Sequence, residues 1–222
     1  MFTGLIATTG TVHTLTRTAT DWHMAVASSL NLDRVALGAS IAVNGVCLTV
    51  TAKSSNRFQV DLSAETVART TLARMSVGAT VNLEQAMVLG DRLDGHWVQG
   101  HVDGIGTVEQ VISQGRSINI WIQVAAVVGR YLIAKGSIAV DGVSLTINDL
   151  DDHAEMTRFS VRIIPHTQQR TTLSTLTAGQ LVNVETDLLG RYVERLLSHR
   201  APCRVSPTTI DRNYLLEQGI IR

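Results

Sequence analysis

Two histidines lie close together near the middle of the 222-residue chain, each directly after a glycine. His96 and His101 are five residues apart, a spacing that would put their side chains on opposite faces of a strand, so a shared metal ion is not expected. The glycines allow the backbone to approach a ligand closely. No Ser-His-Asp pattern, phosphate-binding loop or dinucleotide-binding glycine motif accompanies them. This chemistry favours binding of a small polar ligand.

The polar residues recur in an internal repeat. Residues 40–50 (SIAVNGVCLTV) return as residues 137–147 (SIAVDGVSLTI), with eight of eleven positions identical, and residues 78–84 (GATVNLE) return as residues 179–185 (GQLVNVE). A period near 100 residues is too long for a solenoid unit and predicts two homologous domains. The copies differ at three polar positions, which pair Cys47 with Ser144, Asn44 with Asp141 and Glu65 with His166. We therefore expect two similar sites with different chemistry.

Each copy has the pattern of a small β domain. Short runs rich in Val, Ile, Thr and Leu alternate with glycine-containing turns, and about six such runs predict a barrel or a sandwich. Asn44-Gly45 and Asp141-Gly142 suit two-residue hairpin turns. Residues 69–72 and their copy at 170–173 are each expected to form one helical turn. Apolar residues at helical spacing predict a longer helix over Asp187–Leu197.

Composition excludes several classes of protein. Lys and Arg number 19 and Asp and Glu number 19, so no basic excess suggests nucleic-acid binding. Apolar residues make up 45% and charged residues 17%, which is typical of a globular chain. The two cysteines, Cys47 and Cys203, are too few for a disulfide framework. No apolar run is long enough to span a membrane, and we expect a soluble, cytoplasmic protein.

Four motifs together resemble one family. They are residues 1–6 (MFTGLI), 44–50 (NGVCLTV), 95–104 (GHWVQGHVDG) and 135–146 (KGSIAVDGVSLT). In this order they resemble riboflavin synthase of the α-chain type, with a match over about residues 1–197. The resemblance implies an all-β fold of two tandem six-stranded Greek-key barrels related by a pseudo-twofold axis. Its domains would be lumazine-binding barrels at 1–95 and 96–186, followed by a helix and tail at 187–222 that support trimerisation.

The resemblance also implies a reaction. Two molecules of 6,7-dimethyl-8-ribityllumazine would dismutate by transfer of a four-carbon unit, giving riboflavin and 5-amino-6-(ribitylamino)uracil. No metal or redox cofactor is implied. The partners implied are the two small-molecule substrates and two further copies of the chain, with the active site between subunits of a homotrimer. Lumazine synthase is a candidate partner, whereas nucleic acid and membrane are not.

The site residues follow position by position from the resemblance. Those tied to catalysis are Phe2, Ser40, Cys47, His101, Ser144, Thr146 and Asp187. Those expected to line the ligand of the first barrel are Gly4, Leu5, Ile6, Cys47, Leu48, Thr49, Asp61, Leu62, Ser63, Ala64, Glu65 and Thr66. Those expected to line the ligand of the second barrel are Gly100, His101, Val102, Ser144, Leu145, Thr146, Val161, Arg162, Ile163, Ile164, Pro165, His166 and Thr167. Lys135 resembles a lysine that reaches a ligand across the subunit interface.

Within this set we expect His101 to act with Ser144 and Thr146 on proton transfer, and Ser40 with Cys47 on nucleophile addition. One departure from the family pattern is Asp94, where a glycine usually precedes Gly95-His96; its carboxylate either caps the turn or perturbs His96. Two other functions share the double-barrel frame. One is a non-catalytic lumazine or flavin carrier, as in the antenna proteins of luminous bacteria, and the other is the flavin-binding barrel of an oxidoreductase.

Overall fold

A computed structural model describes residues 1–18, 22–198, 215–216 and 218–219. The strands of the first repeat are β1 Thr8–Arg17, β2 Trp22–Ser28, β3 Ser40–Val43, β4 Val46–Lys53, β5 Arg57–Leu62 and β6 Thr80–Gln85. The strands of the second repeat are β7 Gly104–Gln114, β8 Ser117–Ala125, β9 Ser137–Val140, β10 Val143–Asp152, β11 Met156–Ile163 and β12 Leu181–Thr186.

Each repeat closes into an antiparallel barrel. The first has the strand order β1-β2-β5-β4-β3-β6, and the second has the same order, β7-β8-β11-β10-β9-β12. The predicted pair of six-stranded barrels is confirmed, and the sandwich alternative is excluded. Closure pairs every strand on both sides, which removes the exposed edges that a short open sheet would carry.

Alternating side chains give each barrel its own core. In β5, Phe58, Val60 and Leu62 point inward and are almost fully buried, while the residues between them are exposed. Phe159 and Val161 of β11 fill the equivalent places in the second barrel. This period-two burial is the reason why the runs of β-branched and aromatic residues form strands.

The two predicted hairpin turns are confirmed and pack against each other. Asn44 and Gly45 have φ angles of 45° and 75°, and Asp141 and Gly142 have φ angles of 44° and 79°. Positive φ at both central positions defines the hairpin turn that Asn-Gly and Asp-Gly favour. A Cβ atom on Gly45 would lie 2.6 Å from the backbone nitrogen of Gly142. The turns therefore meet backbone to backbone, where only glycine fits.

Short helices follow the strands. The α-helices are α1 Ala64–Arg69, α2 Ala126–Gly129, α3 Pro165–Arg170 and α4 Leu188–Ser198. The single turn expected over residues 69–72 is wrong: α1 ends before Thr70, and a separate 3₁₀ turn spans Thr71–Arg74. The extended Thr70 interrupts the helix because its hydroxyl accepts from the Leu72 amide at 3.3 Å and so begins a new turn. The second repeat behaves in the same way around Thr171.

The predicted long helix is confirmed as α4, displaced by one residue. Asp187 precedes it, and its carboxylate accepts from the Leu189 amide at 3.0 Å. This bond satisfies one of the unpaired amides at the start of the helix. Among the helices of the described residues, none is long and apolar enough to cross a membrane. Most of the tail after Ser198 lies outside the described residues.

Candidate active sites at the crossing of the two repeats

The segments that precede the two barrels run side by side in opposite directions. The Phe2 amide donates to the Val98 carbonyl at 2.7 Å, and the Val98 amide donates to the Phe2 carbonyl at 3.1 Å. Both side chains are fully buried, together with Ala42 and Ala139 from the two barrels. This bridge fixes the path of each segment before it reaches a barrel, and it places Phe2 in the core between the two repeats.

Each segment then crosses to the barrel of the other repeat. The Gly4 carbonyl accepts from the Ser144 amide at 2.8 Å, and the Gly100 carbonyl accepts from the Cys47 amide at 2.9 Å. Ile6 packs on the core of the second barrel and Val102 on the core of the first. The expected grouping of these segments is therefore wrong. Gly4, Leu5 and Ile6 lie at the second barrel, and Gly100, His101 and Val102 lie at the first.

A cavity of about 280 Å³ opens at the first barrel where its wall meets the crossing segment. Its lining residues are Val46, Cys47, Ser63, Glu65, Thr66, Arg69, Thr70, Gly100, His101 and Val102. The structure thus brings Cys47 together with the α1 residues that the sequence placed beside it. The expectation missed Val46, Arg69 and Thr70. Arg69 and Thr70 begin a run, RTTL, that recurs at 170–173, and this recurrence was the available signal.

The position of His101 differs from the expected grouping. His101 lies in the same cavity as the half-buried Cys47, so within one chain it does not lie with Ser144 and Thr146 as expected. The reason is again the crossing, which carries the residue after Gly100 to the other barrel. In the alignment of the two repeats the residue equivalent to His101 is Leu5, so only the first-barrel cavity receives an imidazole at this place.

Ser144 has a different histidine as its partner. His96 Nδ1 lies 2.7 Å from Ser144 Oγ, and His96 is 8% exposed. The pKa of His96 is lowered because burial disfavours its charged form, an effect that the negative charge of Asp187 partly opposes. The imidazole is therefore neutral at pH 7. Nε2 is buried and has no hydrogen-bond partner among the described residues. Sequence spacing singled out His96 but assigned it no role.

A cavity of about 250 Å³ adjoins His96, with an apolar wall formed by Leu93, Trp97 and Leu189. His96 and Asp187 also line it, whereas Ser144, Thr146 and residues 161–167 do not, so the structure brings the predicted Asp187 to His96 only. The departure at Asp94 has a local explanation. Its carboxylate lies 2.8 Å from an Arg92 nitrogen and is half exposed, and the charge that acts on His96 comes from Asp187 instead.

The remaining predicted residues fall into three groups. Leu48, Leu62, Val161 and Ile163 are buried in the barrel cores, which leaves only their backbone groups for contact with a ligand. Those exposed are Leu5, Thr49, Asp61, Ala64, Thr146, Arg162, Ile164 and His166. Those half-buried are Ser40, Leu145, Pro165 and Thr167. Ser40 pairs with Thr49 in the β3–β4 ladder.

Lys135 is exposed and has an unusual backbone. Its φ angle is 68°, in the left-handed region, at the position where the first repeat has Gly38 with a φ of 83°. A lysine pays a conformational cost there that glycine does not. Its Nζ lies 3.4 Å from the Asn148 carbonyl. The strained geometry of a non-glycine residue at this turn is typical of a position kept for its side chain.

Comparison with known proteins identifies the family. A model of the lumazine binding domain matches residues 3–86 and again residues 99–187. Riboflavin synthase of Photobacterium phosphoreum is 41% identical over 221 residues, which cover 97% of this chain and all of the relative. Riboflavin synthase of Bacillus amyloliquefaciens is 40% identical over 219 residues, which cover 99% of this chain and all of the relative. The chain belongs to the riboflavin synthase family.

The fold is also shared with a solved structure of lower sequence identity. The crystal structure of LumP complexed with riboflavin superposes with a TM-score of 0.77, covering 84% of this chain and 99% of LumP at 24% identity. A likeness at that identity establishes the double-barrel architecture. The riboflavin synthase family assignment rests on the two matched domains and the relatives of about 40% identity.

Proposed function

We propose that this chain catalyses the riboflavin synthase reaction. Two molecules of 6,7-dimethyl-8-ribityllumazine react; one gives a four-carbon unit to the other, and riboflavin and 5-amino-6-(ribitylamino)uracil leave. The atoms balance without a co-substrate. The observation that carries the proposal is that the two repeats hold unlike polar groups at equivalent places, with Cys47 and His101 in one cavity at the first and Ser144 bonded to His96 at the second. A reaction that treats two identical substrates differently needs such a pair.

The substrate itself supplies much of the reactivity. Its C7 methyl group is acidic because the resulting anion is delocalised into the heterocycle, so a modest base suffices to remove the proton. Most of the rate then comes from holding two heterocycles in the reacting orientation. Well-oriented partners gain effective concentrations of about 10⁵–10⁸ M. The protein therefore needs hydrogen-bonding walls and one placed base more than a strongly activated nucleophile.

At the second barrel, Ser144 and His96 form the proton-transfer pair. We assign the tautomer in which Nδ1 of the neutral imidazole accepts the hydroxyl hydrogen of Ser144 over 2.7 Å, so that the Ser144 oxygen can take a proton from a carbon or nitrogen of the substrate. Asp187 favours the charged imidazolium that forms when the proton moves. Thr146 is the next residue but one along the strand and supplies a second hydroxyl.

At the first barrel, Cys47 and His101 share one cavity with the polar end of α1. Ser63 caps α1 by accepting from the Thr66 amide at 3.1 Å, which orders the segment that carries Glu65 and Thr66. We assign Cys47 and His101 to nucleophile addition at the substrate bound here, with Ser40 in support. Lys135 and the residues 161–167 complete the proposed contacts to the second ligand.

Turnover of the lumazine alone tests the activity. Purified protein mixed with 6,7-dimethyl-8-ribityllumazine, without metal or nucleotide, is expected to form riboflavin and 5-amino-6-(ribitylamino)uracil in equal amounts, followed by absorbance and fluorescence. Binding near one ligand per chain without riboflavin would instead identify a carrier. A carrier keeps the barrels but does not need two working sites, and here both barrels retain their polar residues.

Substitutions at the first site are expected to lower turnover without unfolding the barrel. Cys47→Ala and His101→Gln each remove one reacting group and are expected to lower kcat on the order of a hundredfold. The control is His153→Gln, a half-exposed histidine in the β10–β11 turn, paired with Asp151. Steady-state riboflavin formation measures the change. Full turnover in both Cys47→Ala and His101→Gln would refute the roles assigned to the first site.

We further propose that the chain assembles as a homotrimer in the cytoplasm, with active sites completed between subunits. Helix α4 supports this, because Leu189, Tyr192, Val193, Leu196 and Leu197 are all more than half exposed along it. Exposed apolar side chains at helical spacing are typical of an oligomerisation surface. Lumazine synthase stays a candidate partner. Sedimentation of the purified protein, alone and with lumazine synthase, tests both assemblies.

A further inference from the structure

Two buried glutamates lie beneath the crossing segments, at equivalent places in the two repeats. Glu84 lies near the end of β6 and Glu185 near the end of β12, and the two residues are 6% and 5% exposed. Buried carboxylates are costly unless hydrogen bonds satisfy them. Both are satisfied mainly by backbone amides of the crossing segments rather than by a cationic side chain. Their position indicates a task tied to those segments.

Glu84 belongs to the first barrel but holds the segment that serves the second. Its Oε1 accepts from the Thr3 amide at 2.7 Å and from the Thr3 hydroxyl at 2.6 Å, and its Oε2 accepts from the Gly4 amide at 3.0 Å. Gly4 in turn lies so close to Ser144 that an added Cβ would be 2.6 Å from the Ser144 Cβ. The position of Gly4 over Ser144 therefore depends on a carboxylate of the opposite barrel.

Glu185 belongs to the second barrel and holds the segment that serves the first. Its Oε1 accepts from the Gln99 amide at 2.6 Å and its Oε2 from the Gly100 amide at 2.9 Å, and the His101 amide also points to it. Gly100 lies against Cys47, where an added Cβ would be 2.5 Å from the Cys47 Cβ. The carboxylate that places Gly100 and His101 in the first-barrel cavity thus comes from the second barrel.

The two anchors are not equal. Burial raises the pKa of Glu185 to about 7, and the nearby Asp103 adds to the rise, while the amide bonds oppose it. Burial also raises the pKa of Glu84, but the Thr3 hydroxyl and two amides counter it. Hydrogen bonds to an ionised carboxylate are the strong kind, and at pH 8 the equilibrium of Glu185 lies toward the ionised form.

We propose that Glu84 and Glu185 are positioning residues with crossed targets. Glu185 holds Gly100 and His101 against Cys47 at the first site, and Glu84 holds Gly4 against Ser144 at the second. The inference rests on the proposed function only in treating the two clefts as substrate sites. Neither glutamate touches substrate; each acts through the backbone of a segment that does.

The repeat itself provides a reporter for each site. Cys47 is a native thiol in the first site, and Ser144 is its counterpart in the second, so Ser144→Cys in a Cys47→Ser background moves the thiol to the equivalent place. Cys203 is replaced by serine in both backgrounds. The rate of thiol modification by an aromatic disulfide at pH 8 then reports how completely the crossing segment covers the thiol.

Alanine at either glutamate should expose one thiol only. Glu185→Ala is expected to speed modification of Cys47 at least about tenfold, and Glu84→Ala to speed modification of the second-site thiol by a similar factor, because each loses two or more bonds to a charged group. Each variant should leave the other site within about twofold, since the second anchor is intact. Glu84→Gln and Glu185→Gln each keep one acceptor oxygen. Each should therefore give a smaller increase in the modification rate, again only at the thiol of the opposite barrel.

A merely structural role would not make each glutamate variant affect only the thiol of the opposite barrel. Equal acceleration at both thiols, or none at either, would overturn the proposal; the glutamine variants allow the same comparison if an alanine variant does not fold. The reaction of the thiols requires no lumazine and no turnover. A wild-type protein that forms no riboflavin would therefore reject the proposed function, whereas an uncrossed thiol pattern would reject the positioning roles.

Discussion

Gly100→Ala is expected to lower riboflavin formation at least about a hundredfold, because a displacement near 1 Å at reacting groups can cost that much. Gly100 has a φ angle of 81°, and its Cβ would fall 2.5 Å from the Cys47 Cβ and 2.8 Å from the Cys47 nitrogen. The neighbours at that contact are backbone and a first side-chain atom, so neither can rotate away. The crossing segment must lift, and the bond from the Cys47 amide to the Gly100 carbonyl is lost.

A matched glycine separates the steric effect from backbone strain. Gly78 has a φ angle of 91°, but nothing lies within 4 Å of the place where its Cβ would be. Gly78→Ala thus pays only the conformational cost of positive φ, about 1–2 kcal/mol of stability, and should keep turnover within about twofold because the catalytic geometry is unchanged. Steady-state kinetics and thermal unfolding of both variants make the comparison. Gly100→Ala with more than about a tenth of wild-type turnover would contradict the tight packing over Cys47.

Asp141→Asn is expected to stabilise the protein above pH 7 and not below pH 4. Burial raises the pKa of Asp141 from 3.8 to about 7 in the folded chain. Between those values the native state holds a proton that the unfolded state has released, so the free energy of unfolding falls as the pH rises through this window. Above about pH 7 the cost is complete. Asparagine carries no such cost.

The size of the effect follows from the shift. Three pKa units correspond to about 4 kcal/mol, and relaxation of the site brings the expected gain to about 2–4 kcal/mol at pH 8. The packing is preserved, because Asp141 Oδ1 accepts from the Asn183 amide at 2.8 Å just as Asn44 Oδ1 accepts from the Asn82 amide at 2.6 Å. The first repeat therefore already contains the proposed residue in the equivalent bond.

Urea unfolding at pH 4 and pH 8 measures the difference. Glu185 titrates in the same window, but it is present in both proteins and cancels in the comparison. The reverse change, Asn44→Asp, serves as the control and is expected to lower stability at pH 8 only. An equal gain for Asp141→Asn at both pH values would show that the buried carboxyl keeps its charge at no cost.

The sequence predicted the frame more fully than the sites. The repeat of SIAVNGVCLTV and the two Asn-Gly-type dipeptides indicated the duplication and the hairpins, because strand alternation and positive φ are local properties. Thr70 broke the expected helical turn through a local cap that propensity alone does not show. The crossing of Gly4 and Gly100 could not be predicted, since nothing in the order of residues says which barrel a leading segment joins.

The same limit explains why the pairing within the chain differs from the expected one. His101 and Ser144 belong to one repeat, so sequence order placed them together, whereas the structure gives Ser144 the earlier His96. Glu84 and Glu185 stand in the repeated segments GATVNLE and GQLVNVE, and their recurrence was visible. Their function was not, because a glutamate at the end of a strand is ordinarily a solvated residue. The roles of these residues depend on tertiary contacts, which the sequence pattern does not show.

At the bridge of Phe2 and Val98 each leading segment crosses to the barrel of the other repeat, so neither repeat forms a site by itself. The first-barrel cavity has its wall from the first repeat and its cover from Gly100, His101 and Val102, so a fragment ending at residue 95 would retain the Cys47 wall without its cover. A single repeat could complete a site only if its first residues packed on the barrel of a second copy. Because both repeats lie in one polypeptide, residues at equivalent positions can differ, as Leu5 and His101 do. The reciprocal packing of the two leading segments is the same in both repeats.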